Sequence, residues 1–190
     1  MNPNFAYLNS YTKINEASFK KLEKISTYRN LKKNEIIVKE GDIPLSGICM
    51  LVTGIMRAYF SSESGKQHNK KIFTAPSFVG ALTTIITKKP SRLTYEALTE
   101  CKVFEIDFPE FINLCKTDIS ISNLYIKILE NIFVDYEQRN LELISMNATQ
   151  RYLELRKRIP NIDDLIPQYQ IASFLSITPV QLSRIRRNMN

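Results

Sequence analysis

At 190 residues with 44% apolar content, the chain is long enough to bury a core without disulfides or metals. Its formal net charge of +7 favours an anionic partner such as nucleic acid. Three cysteines, Cys49, Cys101 and Cys115, form an odd set with no C-x-x-C spacing, which argues against a disulfide framework, a zinc site or an iron–sulfur cluster and leaves free thiols as the expected state.

The opening MNPNFAYLNSY lacks a basic start with an apolar core, and no apolar run approaches the ~18 residues a membrane span needs. Neither a signal peptide nor a membrane partner is expected, and the protein reads as cytoplasmic. Asn15 begins the first helical pattern, with Ala17, Phe19, Leu22 and Ile25 on one side and lysines on the other. From Leu31 to Asp107 the period changes to short β-branched and aromatic runs: Glu35 to Lys39, Ile48 to Thr53, Ile55 to Phe60, Lys70 to Phe73, Thr94 to Ala97 and Cys101 to Asp107. Gly41-Asp42, Gly54 and Ser64-Gly65 punctuate them. Short strands at that spacing, without long helices between them, predict an antiparallel sandwich or jelly roll around an interior pocket.

Pro109 starts a short helix, and a much longer one without Gly or Pro runs from about Ile119 to Met146. Along it Tyr125, Leu129, Ile132, Tyr136, Leu143 and Met146 alternate in spacings of four and three, broken by Arg139 at one expected apolar position. Such a seam predicts a homodimer with Tyr125, Leu129, Ile132, Tyr136 and Leu143 in the interface, while Ile126, Ile128 and Phe133 on another side can pack on the helix's own β-domain. Asn147 marks a hinge, and Thr149 to Ile159 forms a further helix ended by Pro160. The expected organisation is thus residues 1–117 as a β-rich sensor, 118–146 as a dimerisation helix and 147–190 as a basic C-terminal unit.

The stretch 168–187, QYQIASFLSITPVQLSRIRR, reads as a helix-turn-helix. Ile171, Leu175, Leu182 and Ile185 fall at helical spacing on either side of a break, small Ala172 sits where two helices approach, and Ile177 plugs the angle. Thr178 can cap the second helix and Pro179 suits its first position, where a missing N–H costs nothing. At 100° per residue Leu182, Ile185 and Met189 point inward, leaving Val180, Ser183, Arg184 and Arg187 outward without a carboxylate. Arginine can fork onto guanine and an aliphatic group can meet a thymine methyl, so this face suits the major groove of double-stranded DNA. The candidate contacts are Gln168, Thr178, Pro179, Val180, Gln181, Ser183, Arg184 and Arg187. Residues 147–190 hold seven Lys/Arg against three Asp/Glu, so four of the seven surplus charges lie in this unit.

A β-rich domain, a long helix and a helix-turn-helix together resemble the Crp/Fnr family of bacterial transcription regulators, most specifically in EIIVKEGD, ICMLVTGIMRAYF and IASFLSITPVQLSRIRR. The resemblance implies an α+β fold: a cyclic-nucleotide-binding-like β jelly roll, a dimerising helix and a winged-helix-type helix-turn-helix, with RNA polymerase as a further partner. A wing is not expected within this sequence, whose last residue, Asn190, follows the recognition helix directly. It also implies an effector pocket at Gly80, Ala81, Leu82, Ser91, Arg92 and Leu93. Relatives that bind cyclic AMP carry Glu and Arg where Ala81 and Ser91 stand, and losing each charge-assisted bond removes roughly 1.5–3 kcal/mol. Cyclic AMP is therefore not expected as the ligand, and the small-molecule effector is unknown. The turn position usually held by Gly is Ser176, for which a left-handed backbone costs roughly 1 kcal/mol.

No cysteine precedes Cys49 to hold an iron–sulfur cluster, and the lone His68 reads as an exposed loop residue without a second ligand. No cofactor or metal is expected. One histidine and no Gly-rich phosphate loop leave no nucleophile–base pair, so no catalytic residue is assigned and the chain does not read as an enzyme. The alternative to a DNA-binding regulator is a ligand-sensing or protein-interaction module with a vestigial DNA-binding motif.

Overall fold

A computed structural model describes residues 2–189. Two helices open the chain, α1 (Pro3–Tyr11) and α2 (Glu16–Lys24), each started by an asparagine: Asn2 accepts from the Asn4 N–H at 2.9 Å and Asn15 from the Ser18 N–H at 2.8 Å. Eight strands follow: β1 (Ser26–Leu31), β2 (Ile36–Val38), β3 (Ile48–Thr53), β4 (Ile55–Ser61), β5 (Gln67–Thr74), β6 (Ser77–Gly80), β7 (Thr94–Ala97) and β8 (Cys101–Ile106). The short α3 (Leu82–Thr87) lies between β6 and β7. Every pairing is antiparallel, in two sheets of order β1-β8-β3-β6 and β2-β7-β4-β5. The jelly roll expected from strand spacing is present, with β1 and β6 as additional strands and α1 and α3 as additional helices.

Alternation decides what each sheet faces. Leu31, Leu51, Val79 and Val103 from the first sheet meet Val38, Met56, Phe73 and Tyr95 from the second, filling the roll's interior with buried side chains. The opposite face of the first sheet carries Met50, Phe78 and Phe104, which α1, α2 and two later helices cover. Those helices are α4 (Phe108–Thr117) and α5 (Ile119–Ser145). Asp118 joins them: its carboxylate accepts from the Ser120 N–H at 3.1 Å, the Ser18 hydroxyl at 2.9 Å and the Lys21 ammonium at 2.7 Å, pinning α2 to the start of α5. The Lys21 bond is the largest of the influences that hold this carboxyl below the ordinary aspartate range.

The long helix distributes its apolar side chains differently from the expected seam. Tyr125 packs edge-on against Phe108 and Phe111 with ring centroids 6.2 and 5.4 Å away, and Leu129 and Ile132 line a cavity within the protomer. Tyr136 and Leu143 are exposed as expected, but so are Ile126, Phe133, Val134, Leu141 and Ile144, the last at 83%. The start of the stripe, Tyr125 to Ile132, therefore faces the protomer's own core, while its later members and the Ile126 to Ile144 face point outward. Arg139, which breaks the seam, points at the C-terminal unit instead.

That unit comprises α6 (Ala148–Arg158), α7 (Ile162–Leu165), α8 (Gln168–Phe174) and α9 (Pro179–Arg187). Rather than standing free of the roll, it shares a core with the outer face of the second sheet, where Ile55, Ile72 and Leu98 pack with Tyr152, Leu155, Ile171, Ala172, Leu175 and Leu182. Buried Glu142 near the end of α5 bonds Arg139 at 3.3 Å and Arg158 at 3.0 Å, tying α5 to α6. Arg139 also donates to the Phe174 carbonyl and lies over the Phe174 ring, while Arg151 donates to the Leu175 carbonyl at 3.1 Å. Two arginines thus occupy the electronegative end of α8.

Asp118→Ala is expected to lower stability by about 1–2 kcal/mol at neutral pH, the scale of a lost helix cap. Because the folded carboxyl titrates below its unfolded value, its contribution is complete above the ordinary aspartate range and fades as pH falls through the lowered value. Urea unfolding of both proteins as a function of pH checks this; a gap that persists undiminished into strong acid contradicts it.

Candidate nucleic-acid interface and effector pocket

The turn between α8 and α9 is set by backbone hydrogen bonds. The Leu175 N–H donates to the Ile171 carbonyl at 2.9 Å and the Ile177 N–H reaches back to the Ala172 carbonyl at 3.0 Å. Ser176 supplies the left-handed residue this closure needs, at φ 58°. Thr178 and Gln181 then form a reciprocal capping box: the Gln181 N–H donates to the Thr178 hydroxyl at 3.1 Å and the Thr178 N–H to the Gln181 side-chain oxygen at 3.0 Å. Pro179 takes the first helical position, as expected.

Leu182 is fully buried and Ile185 half-buried against the shared core, which fixes the roll of α9 about its axis. Val180, at 62% exposure, and Ser183, Arg184 and Arg187 face outward on one side. Among the described residues neither Arg184 nor Arg187 makes an ion pair, whereas the intervening Arg186 turns toward Asp163 at 3.6 Å. Asp163 also accepts from the buried Tyr152 hydroxyl at 2.6 Å. Gln168, Thr178, Pro179 and Gln181 are exposed at the starts of the two helices, so all eight candidate contacts reach solvent. Gln181 has its side-chain oxygen committed to the capping box, leaving its amide N–H groups to donate.

The candidate effector residues divide between two environments. Gly80 passes so close to the neighbouring strand that a Cβ would overlap the Gly47 carbonyl and lie 2.7 Å from the Ile48 Cα. Ala81, 2% exposed, packs its methyl in the roll interior and starts α3 without a side-chain cap. Ser91 is buried, but its hydroxyl donates to the Leu93 carbonyl at 2.7 Å and accepts from the Leu93 N–H at 3.2 Å, a closed local turn. Leu93 packs against the interior, Arg92 stands exposed, and Gly80 and Leu82 instead border a cavity on the other side of the first sheet. No charged side chain from this set enters the roll.

That cavity, about 130 Å³, lies between the outer face of the first sheet and the helices, with Leu22, Met50, Phe78, Phe104 and Phe111 among its walls. His68 departs from expectation: it lies on β5, half-buried, stacked on Phe60 at 4.9 Å, rather than in an exposed loop. Alternation with neighbouring strand residues gives it that position. Cys49 and Cys101 are free and buried in the roll, where loss of solvent pushes the Cys49 thiol up to about 12.

Sequence reasoning missed a polar cluster. Arg57 on β4 and Glu96 on β7 are opposite each other in register, 5% and 8% exposed, and joined at 2.7 Å. Their signal was present, since each is a lone charge inside an apolar strand run.

Residues 28–118 match the family described as Cyclic nucleotide-binding domain. The match takes in just under half of the chain, from β1 to the start of α5. No curated protein matches the chain. Among solved structures, FixK2 from Bradyrhizobium japonicum is 18% identical with TM-score 0.72, covering 87% of this chain and 84% of that one. The c-di-GMP responsive regulator CLP of Xanthomonas campestris is 14% identical with TM-score 0.71, covering 92% and 91%. A protein of Eubacterium rectale described as a transcriptional regulator of the Crp/Fnr family is 17% identical with TM-score 0.70, covering 94% and 87%. The chain therefore has the Crp/Fnr fold from roll to C-terminal helices.

Within the matched segment, neither the buried Ala81 methyl nor the Ser91 hydroxyl, engaged by Leu93, offers a charge to a cyclic phosphate or ribose. Titration calorimetry with cyclic AMP is expected to show no binding tighter than ~100 μM, about −5.5 kcal/mol. A low-micromolar constant overturns this reading of the pocket.

Proposed function

We propose that the chain is a DNA-binding transcriptional regulator of the Crp/Fnr kind, acting as a homodimer on a roughly palindromic site. The observation that carries the reading is the outward side of α9, where Val180, Ser183, Arg184 and Arg187 stand exposed without carboxylate partners on a helix whose opposite side is buried at Leu182. Arginine, hydroxyl and a small aliphatic group are the side chains that read base edges in the major groove. Gln168, Thr178, Pro179 and Gln181 lie where helix starts meet the phosphate backbone. The like-folded structures described as regulators support the same reading at the level of the fold.

A dimer supplies two such helices about one turn of duplex apart. The exposed apolar face of α5, from Ile126 through Phe133 and Val134 to Leu141 and Ile144, is the surface that favours it, with Tyr136 and Leu143 alongside. The protein acts in the cytoplasm by binding rather than catalysis, with RNA polymerase as its downstream partner and a small molecule other than cyclic AMP as effector. Phe133→Glu combined with Ile144→Glu is expected to give monomers in sedimentation velocity. An unchanged dimer places the interface elsewhere.

Arg184 follows Val180 by one turn at the middle of the exposed side, and Arg187 lies a further turn along. Arg184→Ala is expected to cost roughly 1–3 kcal/mol on the preferred site and to flatten discrimination at one base pair per half-site. Arg187→Ala is expected to weaken all sequences alike and to lower the salt slope by about one unit per subunit, as for a phosphate contact. Binding-site selection with both variants decides between them. Exchanged phenotypes refute this placement in the groove, and purely non-specific binding by the parent protein favours a sensing module with a vestigial motif.

A further inference from the structure

The outer face of the second sheet holds a polar cluster that belongs half to the roll and half to the helix-turn-helix. Arg57 donates to Glu96 through Nη2 at 2.7 Å and Nε at 3.2 Å, to Gln67 Oε1 at 2.7 Å, to Asn69 Oδ1 at 3.2 Å and to Gln170 Oε1 of α8 at 3.0 Å. Its guanidinium also lies over the Tyr59 ring, 3.8 Å from the centroid. Asn69 donates from its side chain to the Gln170 carbonyl at 2.9 Å and Oε1 at 2.7 Å, and from its backbone N–H to the Ser173 hydroxyl at 2.9 Å. Arg57, Asn69, Glu96 and Gln170 are all at most 8% exposed.

Buried charge with this many fixed partners tolerates little displacement, because any shift leaves a desolvated donor or acceptor unpaired. Apolar contacts alone would let α8 slide across β5 at small cost; the guanidinium fork fixes one position and one angle. The recognition helix α9 shares a core with α8, and Arg139 and Arg151 tie the end of α8 to α5 and α6. The orientation of α9 relative to the long helix is therefore referred to the sheet through Arg57.

We propose that Arg57 is a positioning residue for DNA recognition: by locking α8 to the second sheet it determines the half-site spacing that the dimer accepts. The inference rests on the DNA-binding reading above. The same strands carry it inward, since Met56, Ala58 and Tyr95, which flank Arg57 and Glu96 in sequence, point into the roll interior. Whatever deforms β4 and β7 from inside moves Arg57 and Glu96 on the outside, one sheet thickness away.

The test compares the full-length parent with Arg57→Met/Glu96→Leu, which removes both charges and leaves no orphaned partner ion, and with Gln170→Met, which removes only the α8 acceptor. Each is offered palindromes whose half-sites are moved in steps of one base pair, about 3.4 Å and a tenth of a turn. The parent is expected to prefer one spacing over its neighbours by about tenfold, ~1.4 kcal/mol, and both variants to fall below about threefold with single half-site affinity kept. Retention of the parent's preference by folded variants overturns the proposal. Hydrogen exchange without DNA provides a separate readout. Residues 168–174 are expected to lose about tenfold in protection in both variants while β3 stays unchanged. If the parent shows no sequence-selective binding, the DNA-binding reading fails; unchanged protection of 168–174 then independently refutes the lock.

Discussion

Burying one ion pair, Arg57 with Glu96, constrains everything on the far side of the second sheet. Taking a guanidinium and a carboxylate out of water costs several kcal/mol per ion unless both are fully satisfied, and the roll by itself supplies only part of the set. Gln170 completes it, and Ser173 meets the backbone of the same strand. Around the polar centre, Ile55, Ile72 and Leu98 complete the core of α6 to α9. A unit of about forty residues buries too little surface to be stable alone without a staple. Here the sheet performs that role, through a core shared across residue 147.

What could be read in the sequence follows from where the physics is local. Asn15, Asn147 and the Thr178-Pro179 pair announce helix starts because capping is settled within four residues. β3, β4 and β8 are visible as β-branched runs between turns. β1, STYRNL, is half-exposed and polar, and its pairing with β8 joins residues far apart in the chain, from Leu31↔Cys101 to Ser26↔Ile106. The run LTTIIT has the composition of a strand yet forms α3, because Gly80 ends β6 against Gly47 and the chain must turn there. Arg57 is a lone charge in an apolar run that does not reveal its partners, and Arg139 reads as a break in a seam. Both make sense only once α8 is placed, which is tertiary information.

In the roll, the frame and the candidate effector residues are physically separable. Its frame depends on close backbone passages at Gly54 and Gly80, which no Cβ could share, and these are intact. The residues that would hold a phosphate and a ribose are independent of that frame and can change without disturbing it. The interior is packed with Met56, Phe73 and Tyr95, and an apolar cavity lies beneath the helices, where Leu129 and Ile132 of α5 form one wall.

Both capping boxes in the C-terminal unit, Asn147 with Gln150 and Thr178 with Gln181, are closed by amides. A glutamate at either third position would make the same bond to the backbone. It would also add a negative charge to the first turn, cancelling much of the positive end of the helix dipole. With glutamine the cap is neutral and the electropositive start of α9 is left uncompensated. The first turn of α9 thus carries no carboxylate, and the positive pole of the helix belongs to its peptide units and does not depend on any single basic side chain.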